Sequence, residues 1–136
     1  MMKRRMLAVL VVVFLGGCVC VRANVTATEP CCPQAAALRH VVLLKFTDDT
    51  TPEQARAIEE RFLNLKNEID SVRCVIGGPD ISTEGLAQGF THCFIVTFAD
   101  EGGRDAYLPH PAHKAFVEFM KPNLDKVLVV DFQSGR

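Results

Sequence analysis

Residues 90–100 read FTHCFIVTFAD. Taken two at a time, Phe90, His92, Phe94, Val96 and Phe98 fall on one face, and Cys93, Ile95 and Thr97 on the other. The run is rich in aromatic and β-branched residues and ends at Asp100, before the turn residues Gly102 and Gly103. It reads as a strand with one strongly apolar face.

Three other segments carry the same signature. LRHVVLLKF (38–46) is β-rich and apolar on both faces. SVRCVIGGPD (71–80) is a shorter strand, ended by Gly77, Gly78 and Pro79. KVLVVDF (126–132) is the last. Between the first two lies DDTTPEQ, a helix start: Thr51 suits the N-cap, Pro52 the first helical position, and Gln54 completes a capping box. Ala55, Ile58, Phe62, Leu65 and Ile69 then recur at steps of three and four, one apolar stripe of a helix. Residues 81–89 read as a loop. Residues 101–108 predict a short helix. Pro111 opens another, with Ala112, Phe116, Phe119 and Met120 as its stripe, and Pro122 ends it.

The order is β-α-β-β-α-β. This is the split βαβ pattern of the α+β, ferredoxin-like class: an antiparallel sheet with both helices on one face. The other face then has no cover from its own chain. Yet Val41 and Leu43 oppose Val42 and Leu44, and Ile95 opposes Phe94, so both faces are apolar. An apolar sheet face of this size predicts a homodimer packed through the sheet faces.

Composition narrows the function classes. The 136 residues carry 15 basic and 16 acidic side chains, a net charge of −1. Beyond the N-terminus no basic patch offers itself to nucleic acid. The N-terminus reads differently: Lys3, Arg4 and Arg5, then an apolar run from Met6 to Phe14, then small residues. That is a secretory signal over residues 1–23, too short an apolar run to span a bilayer. Two cleavage sites stay open. LGGC (15–18) resembles a bacterial lipobox, which would lipidate Cys18 and anchor the protein to a membrane. VRA (21–23) suits ordinary signal peptidase and a released form. Residues 24–37 read as a tether and residues 38–133 as the domain. The expected location is therefore periplasmic or cell-surface.

Of six cysteines, Cys18 and Cys20 lie in the signal and Cys31 and Cys32 in the tether. Cys74 and Cys93 lie in strands, where cysteine is most often a small buried hydrophobe. A bridge from the vicinal pair to Cys74 or to another chain stays open. No CxxC pair accompanies the histidines, so the expectation is no metal and no cofactor.

The chemistry concentrates in YLPHPAHKAF (107–116), which holds the only tyrosine and two of the four histidines. His40 shares a strand face with Val42, Leu44 and Phe46, and His92 with Phe94, Val96 and Phe98. If that face meets the helices, both imidazoles point toward residues 107–113. The predicted pocket is apolar, with His40, His92 and His110 as orienting groups and with Tyr107 and His113 as candidate catalytic residues. A neutral His113 near a helix N-terminus can accept a proton, and the Tyr107 hydroxyl can donate to a developing oxyanion. The same residues would also serve as a bonded structural corner.

RHVVLLKF, GFTHCFIVTF, GRDAYLPHPAHKAFV and KVLVVDF together closely resemble the stress-responsive dimeric A/B barrel family. The likeness runs in order from Leu38 to Phe132. It implies a ferredoxin-like fold and a homodimer whose two sheets form a barrel. Many members have no assigned reaction. A plant polyketide-cyclase branch closes a linear polyketide by intramolecular aldol condensation without metal or cofactor. By that resemblance Tyr107 and His113 match its catalytic pair, and His40 and His92 its supporting histidines. Two departures stand out: the export signal, and Phe62 where the cyclase branch has a tyrosine. The sequence thus supports an exported barrel protein with a small apolar ligand pocket and no assigned reaction. The alternative is a cofactor-free cyclase or lyase using Tyr107 and His113.

Overall fold

The computed structural model describes residues 36–135. The signal segment, Cys18, Cys31, Cys32 and all but the last two residues of the tether lie outside that range. Four strands and three helices follow in order: β1 (Ala37–Phe46), α1 (Pro52–Glu68), β2 (Cys74–Pro79), β3 (His92–Phe98), α2 (Glu101–Tyr107), α3 (Pro111–Met120) and β4 (Leu124–Ser134). A single 3-10 turn, Lys121–Asn123, carries α3 into β4. The strand order is β2-β3-β1-β4, all neighbours antiparallel. This is the ferredoxin-like arrangement that the pattern predicts.

Local chemistry explains the boundaries. Thr51 caps α1: its hydroxyl accepts from the Gln54 N–H while the Gln54 side chain accepts from the Thr51 N–H, with Pro52 at the first turn. Two otherwise orphaned donors are thereby satisfied. Asp100 caps α2 through the Gly103 N–H, and His110 caps α3 through the Ala112 N–H. Gly77 is required where β2 crosses β3: a Cβ there would collide with the Cys93 carbonyl oxygen and the Phe94 ring.

The helices cover one sheet face. Ile58, Phe62 and Leu65 of α1 and Phe116 and Met120 of α3 bury against Val42, Leu44, Phe94, Val96 and Phe98. Phe62 stacks on Phe94 at 4.3 Å between ring centroids and meets Phe116 at 4.8 Å. The predicted α3 stripe needs one correction. Phe119 is exposed, and the Arg61 guanidinium lies 4.6 Å over its ring. Steps of four from Ala112 reach Phe116 and Met120, and position 119 turns out of that line.

The other face is uncovered by the chain itself. Register places Val41 beside Ile95 and Val130, Leu43 beside Cys93 and Leu128, and Arg39 beside Phe132. Val130 and Phe132 are 51% and 48% exposed. Cys74 is buried and disulfide-bonded rather than a plain packing residue, whereas Cys93 is a free thiol. Among the described residues no helix is long and apolar enough to cross a membrane.

Candidate functional site

A cleft of about 470 Å³ opens between β1, β4, α2 and α3. That volume lies in the range of small-molecule sites. Its floor and far wall are apolar: Val42, Phe62, Phe116, Met120, Leu124 and Val127. Its polar end gathers His40, Arg104, Tyr107, His113 and Asp131.

Tyr107 is the hub. It ends α2, is 1% exposed, and packs its ring 4.2 Å from His113, 5.2 Å from Phe98 and 6.0 Å from His40. Its hydroxyl makes no hydrogen bond to any described residue. Burial pushes its phenol well above the usual range, so it stays protonated and remains a donor.

His113 sits in the first turn of α3. Its Nδ1 lies 3.0 Å from the Leu108 carbonyl oxygen. A carbonyl only accepts, so Nδ1 carries the proton and Nε2 is left with a free lone pair. Burial lowers the imidazole pKa. The Leu108 carbonyl opposes that shift, and the neighbouring His40 and His110 add to it. The neutral, proton-accepting form is therefore favoured at pH 7.

His40 is set by a second pair. Its Nδ1 lies 2.7 Å from Asp131 Oδ1, across the β1–β4 register. Burial works to raise the Asp131 carboxyl, but the hydrogen bonds from His40 and Arg104 outweigh it and hold the group below the usual carboxylate range. An ionised carboxylate cannot donate, so His40 Nδ1 holds the proton and its Nε2 is the open nitrogen. Two imidazoles, each with its Nδ1 proton committed to an oxygen acceptor, thus flank one unbonded phenol.

The predicted set comes together only in part. His40, Tyr107 and His113 share the cleft. His92 does not line it: His92 pairs with Leu44 while His40 pairs with Val96. Four residues of β1 separate them, roughly 13 Å at strand rise. His92 packs instead on Phe46 at 4.8 Å, and burial lowers its pKa, with Glu59 opposing. The reason is simple: alternation fixes which face a residue is on, and not its height along the strand. His110 is the α3 cap, its Nδ1 accepting the Ala112 N–H at 3.2 Å. Asp131 and Arg104 are the members that sequence reasoning missed. Asp131 carried a signal, a lone carboxylate between Val130 and Phe132 in an apolar strand. Arg104 carries no such signal, being one of several charges between Asp100 and Asp105.

A second recess, about 410 Å³, lies under loop 80–90 beside the outer-face residues Leu43, Cys93 and Leu128. It gathers none of the polar cluster. Among the described residues no group of three or more His, Cys, Asp or Glu is arranged to hold a metal ion.

The family model of the stress responsive A/B barrel domain matches residues 38–134. The chain belongs to this family. The match spans every strand and helix that builds the cleft. Among family relatives, the Arabidopsis thaliana stress-response A/B barrel domain-containing protein HS1 is 38% identical over 96 residues. That is 71% of this chain and 88% of the relative. Olivetolic acid cyclase of Cannabis sativa is 31% identical over 96 residues, 71% of this chain and 95% of the enzyme. Among solved structures, a dimeric ferredoxin-like protein of unknown function from Thermobifida fusca YX superposes with a TM-score of 0.64 at 24% identity. The match covers 76% of this chain and 96% of that one.

Proposed function

We propose that the cleft is a catalytic site for proton abstraction beside a carbonyl, serving an aldol cyclisation or the related lyase reaction. The observation that carries this is the Tyr107 ring packed 4.2 Å from His113 in an open cleft, with its hydroxyl bonded to no described residue and His113 Nδ1 committed to the Leu108 carbonyl. The hydroxyl oxygen is not among the buried polar atoms left without a partner, so it reaches the open cleft, where an incoming carbonyl oxygen can accept from it. The likeness to a cyclase over 95% of that enzyme's length supports the same reading.

In the proposed reaction His113 Nε2 takes the proton from the carbon next to a carbonyl. The C–H pair forms the enolate C=C bond, the carbonyl π pair moves onto oxygen, and the Tyr107 O–H donates to that oxyanion. The enolate carbon then attacks a second carbonyl of the same molecule, forming a carbon–carbon bond. The new alkoxide takes the proton back from His113. The apolar walls hold an alkyl body and exclude water from the enolate.

The direct test is deuterium uptake from D2O at the carbon beside the carbonyl of 2-nonanone, followed by NMR. The expected result is catalysed exchange that His113→Ala abolishes. Exchange no faster than with the His113→Ala protein would overturn the proposal. Mass spectrometry after incubation with a linear poly-β-keto thioester then reports cyclisation.

We also infer a homodimer through the outer sheet face. The half-exposed Leu128, Val130 and Phe132, continuous with Val41 and Ile95, support it, as does the dimeric Thermobifida neighbour. Export, with Cys18 as lipid site, remains our reading of the N-terminal pattern. The disulfide at Cys74 supports it, because disulfides persist in oxidising compartments. Intact mass of the mature protein tests both the cleavage point and the lipid.

A further inference from the structure

Asp131 uses both of its oxygens. Oδ1 receives His40 Nδ1 at 2.7 Å, and Oδ2 receives Arg104 Nη1 at 3.0 Å. Arg104 is itself anchored, with Nε 3.0 Å and Nη2 2.8 Å from Asp105 Oδ1. The guanidinium thus bridges the loosely exposed Asp105 of α2 and the half-buried Asp131 of β4, at the polar end of the cleft.

The geometry points to Arg104 as a positioning residue for His40, acting through Asp131. β4 is an edge strand, and the Asp131 side chain is 30% exposed, so close packing alone does not fix its rotamer. One hydrogen bond from His40 leaves the Asp131 carboxylate free to turn about that contact. A second, charge-assisted bond to the opposite oxygen fixes its plane. The fixed carboxylate holds the proton on His40 Nδ1 and keeps Nε2 open toward the cleft. Without Arg104, Asp131 turns to solvent and His40 exchanges between tautomers. Then Nε2 carries a proton part of the time and ceases to be a uniform acceptor. The Asp105 contact is an exposed pair and contributes little by itself.

This inference rests on the cleft being a site, but its main readout does not require turnover. Long-range proton–nitrogen NMR spectra of the protein report the His40 tautomer directly. The expected result is a single Nδ1–H form in the wild type. Arg104→Met, which keeps the packing methylenes, gives a mixture of tautomers. Arg104→Lys restores the single form because one cation still reaches Asp131, and Asp105→Asn leaves it untouched. If the ketone exchange is present, Arg104→Met lowers its kcat by about tenfold or more, a size typical for losing a group that orients a reacting imidazole, with KM changed less. A single Nδ1–H tautomer in a folded Arg104→Met protein overturns the assignment. So does a tautomer mixture in Asp105→Asn equal to that of Arg104→Met. Absence of ketone exchange in the wild type, with the tautomer pattern as expected, counts against the catalytic reading alone.

Discussion

Tyr107→Phe separates a catalytic tyrosine from a structural one. The substitution removes one oxygen and leaves the ring against His40, Phe98 and His113. No hydrogen bond is lost, because the hydroxyl bonds to no described residue. No cavity larger than that atom forms. The oxygen faces the open cleft and is not a buried unpaired atom, so stability changes by no more than about 0.5 kcal/mol. For a domain of this size that is a melting temperature within about 4 °C of the wild type. Catalysis should move the other way: losing one oxyanion donor costs about 100- to 1,000-fold in kcat. Tyr107→Ala is the contrast. It empties a ring-sized space, costs about 3–5 kcal/mol, and lowers the melting temperature by at least about 12 °C. The assays are thermal unfolding by circular dichroism and deuterium uptake into 2-nonanone. A melting temperature more than about 4 °C lower for Tyr107→Phe would mean a bonded structural hydroxyl and refute the reasoning. So would unchanged exchange.

Acidification should weaken both catalysis and the fold. His113 and His92 have lowered pKa values, so the unfolded chain binds more protons than the fold as pH drops below the ordinary imidazole value of about 6.5. Stability is complete above that value and declines as pH falls through the lowered folded values; chemical denaturation from pH 8 to 4 measures it, and a flat profile contradicts the assignment. The exchange rate should fall over the same interval in the wild type. Val130→Asp places a charge in the middle of the outer face and should give a folded monomer by light scattering at micromolar concentration. A dimer of unchanged affinity would move the interface elsewhere. Thr51→Ala removes the cap that joins Gln54 to the start of α1 and should cost about 1 kcal/mol in urea unfolding, with no effect on ligand exchange.

Much of the fold was legible because local rules agreed with one another. Alternation in residues 90–100 put Phe94, Val96 and Phe98 on the buried face, where they lie. The Thr51, Pro52 and Gln54 pattern marked the start of α1 to the residue. Phe119 misled because it shares a helical step with Ala112 but sits beyond the edge of the core, under Arg61. His92 misled because period-two reasoning has no ruler along the strand.

The sequence alone determined the order of elements, the apolar character of both sheet faces and the closeness of Tyr107 and His113 along the chain. These follow from side-chain periodicity and backbone chemistry within a few residues. The tertiary structure alone decided which polar groups meet. His40 and Asp131 lie 91 residues apart, and Arg104 and Asp131 lie 27 apart. Only the antiparallel register of β1 with β4, and the return of α2 over that edge, bring them within hydrogen-bond distance. The tautomers follow from the same contacts, because a proton's place on an imidazole is set by the partner opposite it, and no partner opposite is written in the neighbouring sequence.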